Sequence, residues 1–316
     1  MSAGGAAVLF PGQGAIEPGM GLGLLREDPE AASLLEVASK AVGEDLARVL
    51  RRGGVALTRT EIVQPLLTAV SLAAWRAVAR CGVQVDRAAG HSLGEIMALA
   101  VAADIPPDEA VRLAAERGAL MARGARAHPG GMLALTTATG YRPSDRGALE
   151  AWLDQHPDLV LAAVNAPTEI VLSGPHASLE EARAAFGGRP LDVAGPWHHP
   201  TLADCVSAYH RLLAPWGRGT LRTPFVSGLD GAVVTKASEA AERVARQLVQ
   251  PVRWDRVLAS LRSDGVRVVL CVGTERVLRG LVRLNGWRDV ALQPVVDPRS
   301  ARRAVEALKR PRHAHP

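Results

Sequence analysis

The chain has 316 residues, of which 48% are hydrophobic and 22% are charged, a composition that is typical of a globular protein and excludes a disordered or fibrous one. Its formal net charge of +5 favours an acidic partner, but the basic residues are spread along the chain without any nucleic-acid-binding signature, so no nucleic acid is expected. The cysteines (Cys81, Cys205 and Cys271) are too far apart in sequence to indicate a disulfide framework or a metal site.

Hydropathy gives no sign of a membrane protein. No apolar run reaches the roughly 18 residues that a membrane span needs. The N-terminus has neither the basic start nor the apolar stretch of an export signal. We therefore expect a cytoplasmic protein with no membrane partner.

The N-terminal part of the chain has the pattern of an α/β protein. An apolar strand at 6–10 leads into a Gly-rich turn at 11–14. A helix is predicted over 29–42, with Asp28 as its N-cap and Pro29 at its first position. Further helices are predicted over 64–81, 93–102 and 107–125.

A change of pattern near residue 127 indicates an inserted domain. The predicted elements run strand, helix, strand, strand, helix, strand, which is the split βαβ order of a ferredoxin-like domain. They are expected at 130–136, 143–156, 160–165, 169–173, 178–185 and 190–194. We therefore predict an α/β fold, in which residues 1–126 and 198–316 form an α/β-hydrolase-like catalytic domain and residues 127–197 form the ferredoxin-like insertion.

The elements of the larger domain resume after residue 200. They are predicted as a helix over 202–213, a strand over 224–227, a helix over 237–248 and a strand over 266–272. The tail at 302–316 is basic, and we expect it to be frayed.

The strongest local signal for chemistry is the pentapeptide from Gly90 to Gly94, which has Ser92 at its centre. It matches the G-x-S-x-G elbow, a sharp strand-to-helix turn that exposes a nucleophilic serine. Both glycines are needed because the strained turn leaves no room for side chains, and free N–H groups at the helix start can stabilise an oxyanion. A chance match in a turn is the alternative, but the apolar segment 93–102 supplies the helix that the elbow requires.

Arg117 is the second signal. Its neighbours at helical spacing are apolar, so the guanidinium is predicted to face the core. A buried guanidinium is costly unless an anion meets it. The anion could be a structural Asp or Glu in an internal salt bridge, or it could be a substrate carboxylate held by a bidentate clamp.

The third signal is a histidine pair, His198 and His199, at the end of the inserted segment. A histidine at this junction could reach Ser92 as a general base. The pattern alone leaves open which of the two acts.

Several runs together resemble the malonyl-CoA:acyl carrier protein transacylase family, which shares its pattern with the acyltransferase domains of polyketide synthases. The resemblance spans roughly residues 6 to 285, and the matching runs fall in the family's order. The runs are Phe10-Pro11-Gly12-Gln13-Gly14, Gln64-Pro65, Gly90-His91-Ser92-Leu93-Gly94-Glu95, Arg117-Gly118-Ala119-Leu120-Met121, Val164-Asn165-Ala166-Pro167 with Ser173-Gly174, and Gln250-Pro251-Val252-Arg253-Trp254.

The resemblance implies specific roles for these residues. Ser92 would be the nucleophile and His198 the general base, while the N–H groups of Gln13 and Leu93 would form the oxyanion hole. Arg117 would bind the free carboxylate of a malonyl-type group. The other implied roles are the lining of the substrate site by Gln64, Asn165 and Trp197, and the orientation of His198 by a backbone carbonyl near Gln250.

The chain departs from the family's usual pattern at several positions. The tetrapeptide that ends at His198 reads Gly195-Pro196-Trp197-His198, which matches neither the common malonyl form nor the common methylmalonyl form. The volume of Trp197 disfavours an α-branched acyl group. These changes favour a specialised polyketide enzyme over a housekeeping fatty-acid enzyme.

The resemblance also implies partners and kinetics. The substrate would be a coenzyme A or phosphopantetheinyl thioester, the acceptor an acidic acyl carrier protein, and the enzyme a monomer with no bound cofactor and no metal. Acyl transfer would be ping-pong, through an ester on Ser92. The alternatives are a transferase that moves an unusual group, such as an aminoacyl group, between carriers, an acyl-thioester hydrolase, and an inactive scaffold that docks a carrier protein.

Overall fold

The structure is a computed structural model that describes residues 5–273 and 276–309. Its strands lie in two sheets. The strands are β1 (Gly5–Phe10), β2 (Arg87–Gly90), β3 (Gly131–Thr136), β4 (Val160–Ala166), β5 (Glu169–Gly174), β6 (Arg189–Pro190), β7 (Thr220–Val226), β8 (Val233–Lys236), β9 (Val252–Arg253), β10 (Val266–Val272) and β11 (Ala291–Val295). The bounds of β1, β3, β4, β5 and β10 are close to the predicted ones, whereas β7 begins four residues before its predicted start and β6 is shorter than predicted.

The helices begin and end at recognisable signals. In the helix over 29–42, the Asp28 side chain accepts a hydrogen bond from the Glu30 N–H at 3.0 Å, and the helix ends at Gly43, whose φ of 71° only glycine adopts readily. The α-helices are α1 (Leu22–Glu27), α2 (Pro29–Val42), α3 (Leu46–Arg52), α4 (Thr60–Ala79), α5 (Gly94–Ala103), α6 (Pro107–Ala127), α7 (Arg146–Leu153), α8 (His176–Phe186), α9 (Ala203–Leu213), α10 (Ala237–Arg246), α11 (Trp254–Ser263), α12 (Arg276–Leu284) and α13 (Pro298–Lys309).

The larger sheet has six strands in the order β11-β10-β1-β2-β7-β8. All of its neighbours are parallel except β7 and β8, and the central strand β1 is buried from Ala6 to Phe10. Such burial suits a parallel sheet whose two faces are covered by helices. Phe10 and Gly90 are paired at the carboxyl ends of β1 and β2, so the turns that follow these strands lie side by side.

Helix α4 is long and apolar enough to cross a membrane by length and composition alone. However, 78% of its most apolar window is buried inside the protein, where α4 packs against α6 and α2. We therefore interpret α4 as a core helix.

The smaller sheet has the order β6-β3-β5-β4-β9, and the pairs β6–β3, β3–β5 and β5–β4 are antiparallel. With α7 and α8, these strands follow the predicted sequence strand, helix, strand, strand, helix, strand. A separate apolar cluster that includes Leu133, Leu149 and Leu172 supports the sheet. The predicted fold class, an α/β protein with a ferredoxin-like inserted unit, is confirmed.

The small sheet extends beyond the predicted insertion at 127–197. Its last strand, β9, comes from residues 252–253 and pairs parallel with β4. The predicted strand at 190–194 is also shorter than expected, because only Arg189 and Pro190 pair with β3. Strand pairing across distant parts of the chain leaves no local signal in a two-residue strand.

The prediction of a frayed tail is wrong for its first half. Residues 302–309 belong to α13, whose Ala301, Ala304 and Val305 are buried. The high density of arginine hid an amphipathic pattern in which small residues face the core. Residues 310–316 lie outside the described residues.

Candidate active site

Ser92 lies at the sharp turn between β2 and α5 and has a positive φ of 50°, a conformation that is uncommon for a residue other than glycine. A Cβ on Gly90 would fall 1.9 Å from the carbonyl carbon of Gly94, and a Cβ on Gly94 would fall 2.4 Å from the carbonyl oxygen of Phe10. Both glycines are therefore required by backbone packing. The turn has the geometry of a nucleophile elbow.

His198 is the histidine that reaches the serine. Its Nε2 lies 2.8 Å from the Ser92 Oγ, and its Nδ1 lies 2.7 Å from the backbone carbonyl oxygen of Gln247. Because a carbonyl oxygen can only accept, the proton of the neutral imidazole is on Nδ1, and Nε2 is left to accept the Ser92 hydroxyl proton. This is the tautomer that a general base needs.

The carbonyl that orients His198 was predicted near Gln250, and the backbone of this segment does meet the His198 ring. The hydrogen bond goes to Gln247, three residues earlier, at the start of a 3₁₀ turn over Gln247–Val249. The turn folds the chain back so that the Gln250 N–H also donates to the Gln247 carbonyl oxygen, at 3.4 Å. A backbone hydrogen bond to Gln250 also raises the pKa of His198, so the backbone of both Gln247 and Gln250 faces the imidazole.

Burial keeps the base uncharged. Desolvation, followed by the nearby positive charge of Arg117, lowers the pKa of His198 to about 3, although its hydrogen bond to the Gln247 carbonyl acts in the opposite direction. At neutral pH the imidazole is therefore neutral and able to accept a proton from Ser92.

The predicted oxyanion donors lie on the two turns that follow β1 and β2. The Phe10 carbonyl oxygen accepts a hydrogen bond from the His91 N–H at 3.0 Å, which fastens one turn to the other. Within residues 5–273 and 276–309, neither the Gln13 N–H nor the Leu93 N–H donates a hydrogen bond. Two free backbone donors on adjacent turns are suited to stabilise a tetrahedral oxyanion.

Arg117 faces the core of the protein, as its helical pattern predicts, and only 2% of its surface is exposed. Its Nη1 donates to the Oε1 of Gln64 at 2.9 Å, while its Nη2 has no hydrogen-bond partner among the described residues. Arg117 also forms no ion pair with any carboxylate in residues 5–273 and 276–309. The internal salt bridge considered from the sequence is thus not formed with any described residue.

Gln64 connects Arg117 to the turn that carries Gln13. The Nε2 of Gln64 donates to the Oγ1 of Thr60 at 2.9 Å, and that hydroxyl donates to the Oε1 of Gln13 at 3.0 Å. The guanidinium is therefore held by a buried hydrogen-bond chain that ends next to a predicted oxyanion donor. Desolvation lowers the pKa of Arg117, whereas Tyr209 and Glu95 raise it.

Asn165 approaches the site through His91 instead of touching Ser92. The Asn165 Oδ1 lies 2.7 Å from the Nε2 of His91, and its Nδ2 donates to Glu169 at 2.8 Å. The His91 ring also makes an edge contact with Trp254, at 5.3 Å between ring centroids. Burial lowers the pKa of His91, which favours the neutral imidazole. His91 is therefore an uncharged residue of the elbow that Asn165 and Trp254 hold in place.

The two residues that flank His198 have separate environments. The His199 ring bonds to Thr201 and to the Asp158 carbonyl, so it does not act on Ser92. Trp197 is buried, and its indole carbon Cη2 lies 2.8 Å from where a Cβ of Gly195 would be. No hydrogen bond joins the Trp197 indole to the described residues, and its place in the acyl pocket stays a prediction.

Sequence reasoning missed two residues at the site, Gln247 and Glu95. Gln247 acts through its backbone, which leaves no side-chain signal. Glu95 is fully buried, and it is the only charged residue in the apolar helix α5. That isolated charge was the available clue, since an unpaired carboxylate is costly inside a core.

Three comparisons bear on the identity of the chain. The family described as acyl transferase domain matches residues 8–281. The malonyl CoA-acyl carrier protein transacylase of Mycobacterium tuberculosis is 35% identical over 300 residues, which cover 92% of this chain and 96% of the relative.

Two solved structures resemble the fold over nearly its whole length. The crystal structure of the Mycobacterium tuberculosis transacylase has a TM-score of 0.84 at 33% identity, covering 95% of this chain and 99% of that one. A malonyl-transacylase in complex with its type II polyketide synthase acyl-carrier protein has a TM-score of 0.84 at 29% identity, covering 96% and 99%. The chain therefore belongs to the acyl transferase family that includes the malonyl-CoA:acyl carrier protein transacylases, and it is an acyltransferase enzyme.

Proposed function

We propose that this enzyme transfers a malonyl group from coenzyme A to the phosphopantetheine thiol of an acyl carrier protein in a polyketide pathway. The observation that carries the choice of acyl group is the environment of Arg117. A buried guanidinium with one free amino group and no ion pair among the described residues is suited to receive a substrate carboxylate.

In the first half-reaction, the Ser92 Oγ attacks the thioester carbonyl carbon and its proton moves to the Nε2 of His198. The N–H groups of Gln13 and Leu93 stabilise the oxyanion. The C–S bond then breaks, and the coenzyme A sulfur takes the proton from His198. Malonate is left as an ester on Ser92 with its free carboxylate on Arg117.

In the second half-reaction, the same atoms act in reverse order. The carrier thiol gives its proton to the Nε2 of His198, its sulfur attacks the ester carbonyl carbon, and the Ser92 oxygen leaves and regains the proton. No resident cofactor or metal takes part in this scheme. Coenzyme A and the carrier both enter as substrates.

The surface beside the site supports an acidic carrier as the acceptor. The Asn285 side chain, just after α12, donates to the Asn165 carbonyl at 2.8 Å, so this helix lies close to the elbow. Residues 276–288 contain no acidic residue and carry Arg276, Arg279, Arg283 and Arg288. Such a basic segment would attract an acidic protein and guide it toward Ser92.

The polyketide assignment rests on the unusual segment around Trp197 and on the likeness to the transacylase that was solved with a polyketide carrier protein. It predicts faster transfer from the malonyl-enzyme to a polyketide carrier than to a fatty-acid carrier. Equal or reversed rates, measured with both holo-carriers, would place the enzyme in fatty-acid synthesis instead.

The deciding experiment is intact-mass spectrometry of the protein after brief exposure to malonyl-CoA or acetyl-CoA. We expect a malonyl adduct on the wild type, little acetyl adduct, and no adduct on Ser92→Ala. Arg117→Ala should lose the preference for malonyl because the carboxylate has no cation to meet.

Two other outcomes would overturn the proposal. A folded protein without any adduct from coenzyme A thioesters would indicate a donor that is already attached to a carrier, as in the aminoacyl alternative. Rapid loss of the malonyl adduct to water, without transfer to any carrier, would indicate a hydrolase.

A further inference from the structure

Glu95 lies inside the protein one helical turn after Ser92. Its backbone N–H donates to the Ser92 carbonyl at 3.0 Å. Its Oε1 accepts a hydrogen bond from the Gly228 N–H at 2.6 Å, and its Oε2 has no hydrogen-bond partner among the described residues. The side chain thus connects the helix that begins at the nucleophile to the loop after β7.

Gly228 is a junction for three separate parts of the chain. Besides its bond to Glu95, its carbonyl accepts a hydrogen bond from the Arg253 N–H at 2.6 Å. A Cβ at Gly228 would lie 2.7 Å from the Nε2 of Gln247 and 3.0 Å from the Oε1 of Glu95. A side chain at this position would therefore have to displace the ends of two buried side chains, those of Gln247 and Glu95.

These contacts close a ring that contains the reacting pair. Ser92 contacts His198, and His198 donates to the carbonyl of Gln247. The Gln247 side chain lies against Gly228, which donates to Glu95, and Glu95 donates back to the Ser92 carbonyl. Every member except Ser92 and Gly228 is at most 4% exposed.

We propose that Glu95 is a positioning residue of the acyltransferase, which holds Gly228 and thereby fixes the Gln247 carbonyl that orients His198 toward Ser92. The proposal rests on the proposed roles of Ser92 and His198, but it is independent of the acyl group. In this site the base hydrogen-bonds a backbone carbonyl, and the carboxyl group of Glu95 acts on that carbonyl through Gly228 and the packed side chain of Gln247.

The role depends on shape and not on charge. Burial raises the pKa of Glu95 to about 8, so the side chain is mainly a neutral acid at neutral pH. The amide of glutamine is also neutral and has nearly the same shape, and its oxygen can accept the bond from the Gly228 N–H. Glutamine should therefore replace Glu95, whereas alanine should not.

The test measures the reactivity of Ser92 with a fluorophosphonate probe, which labels an activated serine without needing a malonyl group. Glu95→Ala and Gly228→Ala should each slow the labelling, and should slow acylation by malonyl-CoA by about 10²-fold in kcat with little change in KM, because a displaced base no longer meets the hydroxyl. Glu95→Gln should keep most of the wild-type rate. Gly228 needs no special backbone conformation, so alanine there acts only through Gln247 and Glu95.

Leu99→Ala is the matched control, because Leu99 is fully buried in the same helix but lies outside the ring. It should lower the melting temperature and leave the labelling rate unchanged.

The proposal is overturned if folded Glu95→Ala and Gly228→Ala label like the wild type, if Glu95→Gln is as slow as Glu95→Ala, or if Leu99→Ala is equally slow. A wild type that reacts with the probe but not with malonyl-CoA would refute the proposed function and leave this test valid.

Discussion

The Nδ1 of His198 donates a hydrogen bond to the backbone carbonyl of Gln247 at 2.7 Å. A carbonyl carries no full charge, so it fixes the tautomer of the imidazole without stabilising an imidazolium as strongly as a carboxylate would. The positive charge of Arg117 adds to this effect. The base is therefore arranged to stay neutral until it takes the Ser92 proton.

This arrangement predicts the pH profile of acylation. Because the pKa of His198 is lowered to about 3, the imidazole remains neutral from pH 8 down to pH 5, and the acylation rate constant should not fall over that range. Quenched-flow mass spectrometry of the malonyl-enzyme measures this acylation rate constant directly at each pH. A decline centred near pH 6.5 would mean that His198 titrates like an exposed histidine.

The buried carboxyl group of Glu95 predicts a pH-dependent stability. In the unfolded chain it loses its proton near pH 4.5, whereas in the folded protein it keeps the proton up to about pH 8. Between these values the unfolded state binds fewer protons, so this group lowers the stability of the protein as the pH rises. Glu95→Gln removes the effect, and its melting temperature relative to the wild type should increase from pH 5 to pH 8.

The control for that measurement is Glu36→Gln, at an exposed position of α2. Its difference from the wild type gives the baseline effect of replacing an exposed carboxyl group by an amide. A constant difference across pH for Glu95→Gln would show that Glu95 ionises normally in the folded protein.

Gln64 should govern how well Arg117 holds a carboxylate. Gln64→Leu removes the acceptor of the Arg117 Nη1 hydrogen bond, so no side chain holds the guanidinium at that atom. It also removes the hydrogen bond from Gln64 to the Thr60 hydroxyl. We expect a higher KM for malonyl-CoA and a loss of about 1–3 kcal/mol in the free energy of unfolding. Steady-state kinetics and urea titration test both. An unchanged KM would mean that Arg117 is held by other contacts.

Gly90 offers a sharp test of the elbow. A Cβ at this position would overlap the backbone of Gly94 at 1.9 Å, and backbone cannot rotate away as a flexible side chain can. Gly90→Ala should destabilise the protein by about 3 kcal/mol or more and abolish labelling of Ser92. Gly14→Ala is the matched control for stability, since nothing lies within 4 Å of its Cβ position.

Trp197 should contribute more to stability than to binding. It is almost fully buried and packs against Gly195, so Trp197→Ala should cost about 3–5 kcal/mol in the free energy of unfolding. Urea titration measures this cost. The rate with methylmalonyl-CoA is a separate readout, and a gain for the variant would support the sequence prediction that the indole excludes α-branched groups.

Local patterns were sufficient to predict much of the fold and the nucleophile elbow, whereas the choice of His198 over His199 came from the family resemblance. The elbow at Ser92 is predictable because backbone sterics demand glycine at fixed positions around it. Helix α2 is predictable because Asp28, Pro29 and Gly43 mark its ends. The apolar face around Arg117 likewise follows from helical periodicity alone.

Long-range backbone contacts could not be predicted in the same way. The partner of His198 is the backbone carbonyl of Gln247, and every residue has a backbone carbonyl. No residue type in the sequence therefore marks Gln247 as that partner. Strand β9 is two residues long and pairs with a strand about 90 positions earlier, which no local pattern reveals. The partner of Glu95 is the N–H of Gly228, so its role becomes visible only when the two segments are brought together.

Strand β9 also limits how this enzyme can be engineered. Its Val252 pairs with Ala163 of the small sheet, while the adjoining turn supplies the carbonyl that orients the base. A chimera that exchanges only residues 127–197 would therefore join a foreign sheet edge to the native segment that positions His198. A graft that also carries residues 247–253 would keep both the pairing of β9 with β4 and the carbonyl that orients His198. This short segment should therefore be exchanged together with the small domain in any recombined acyltransferase.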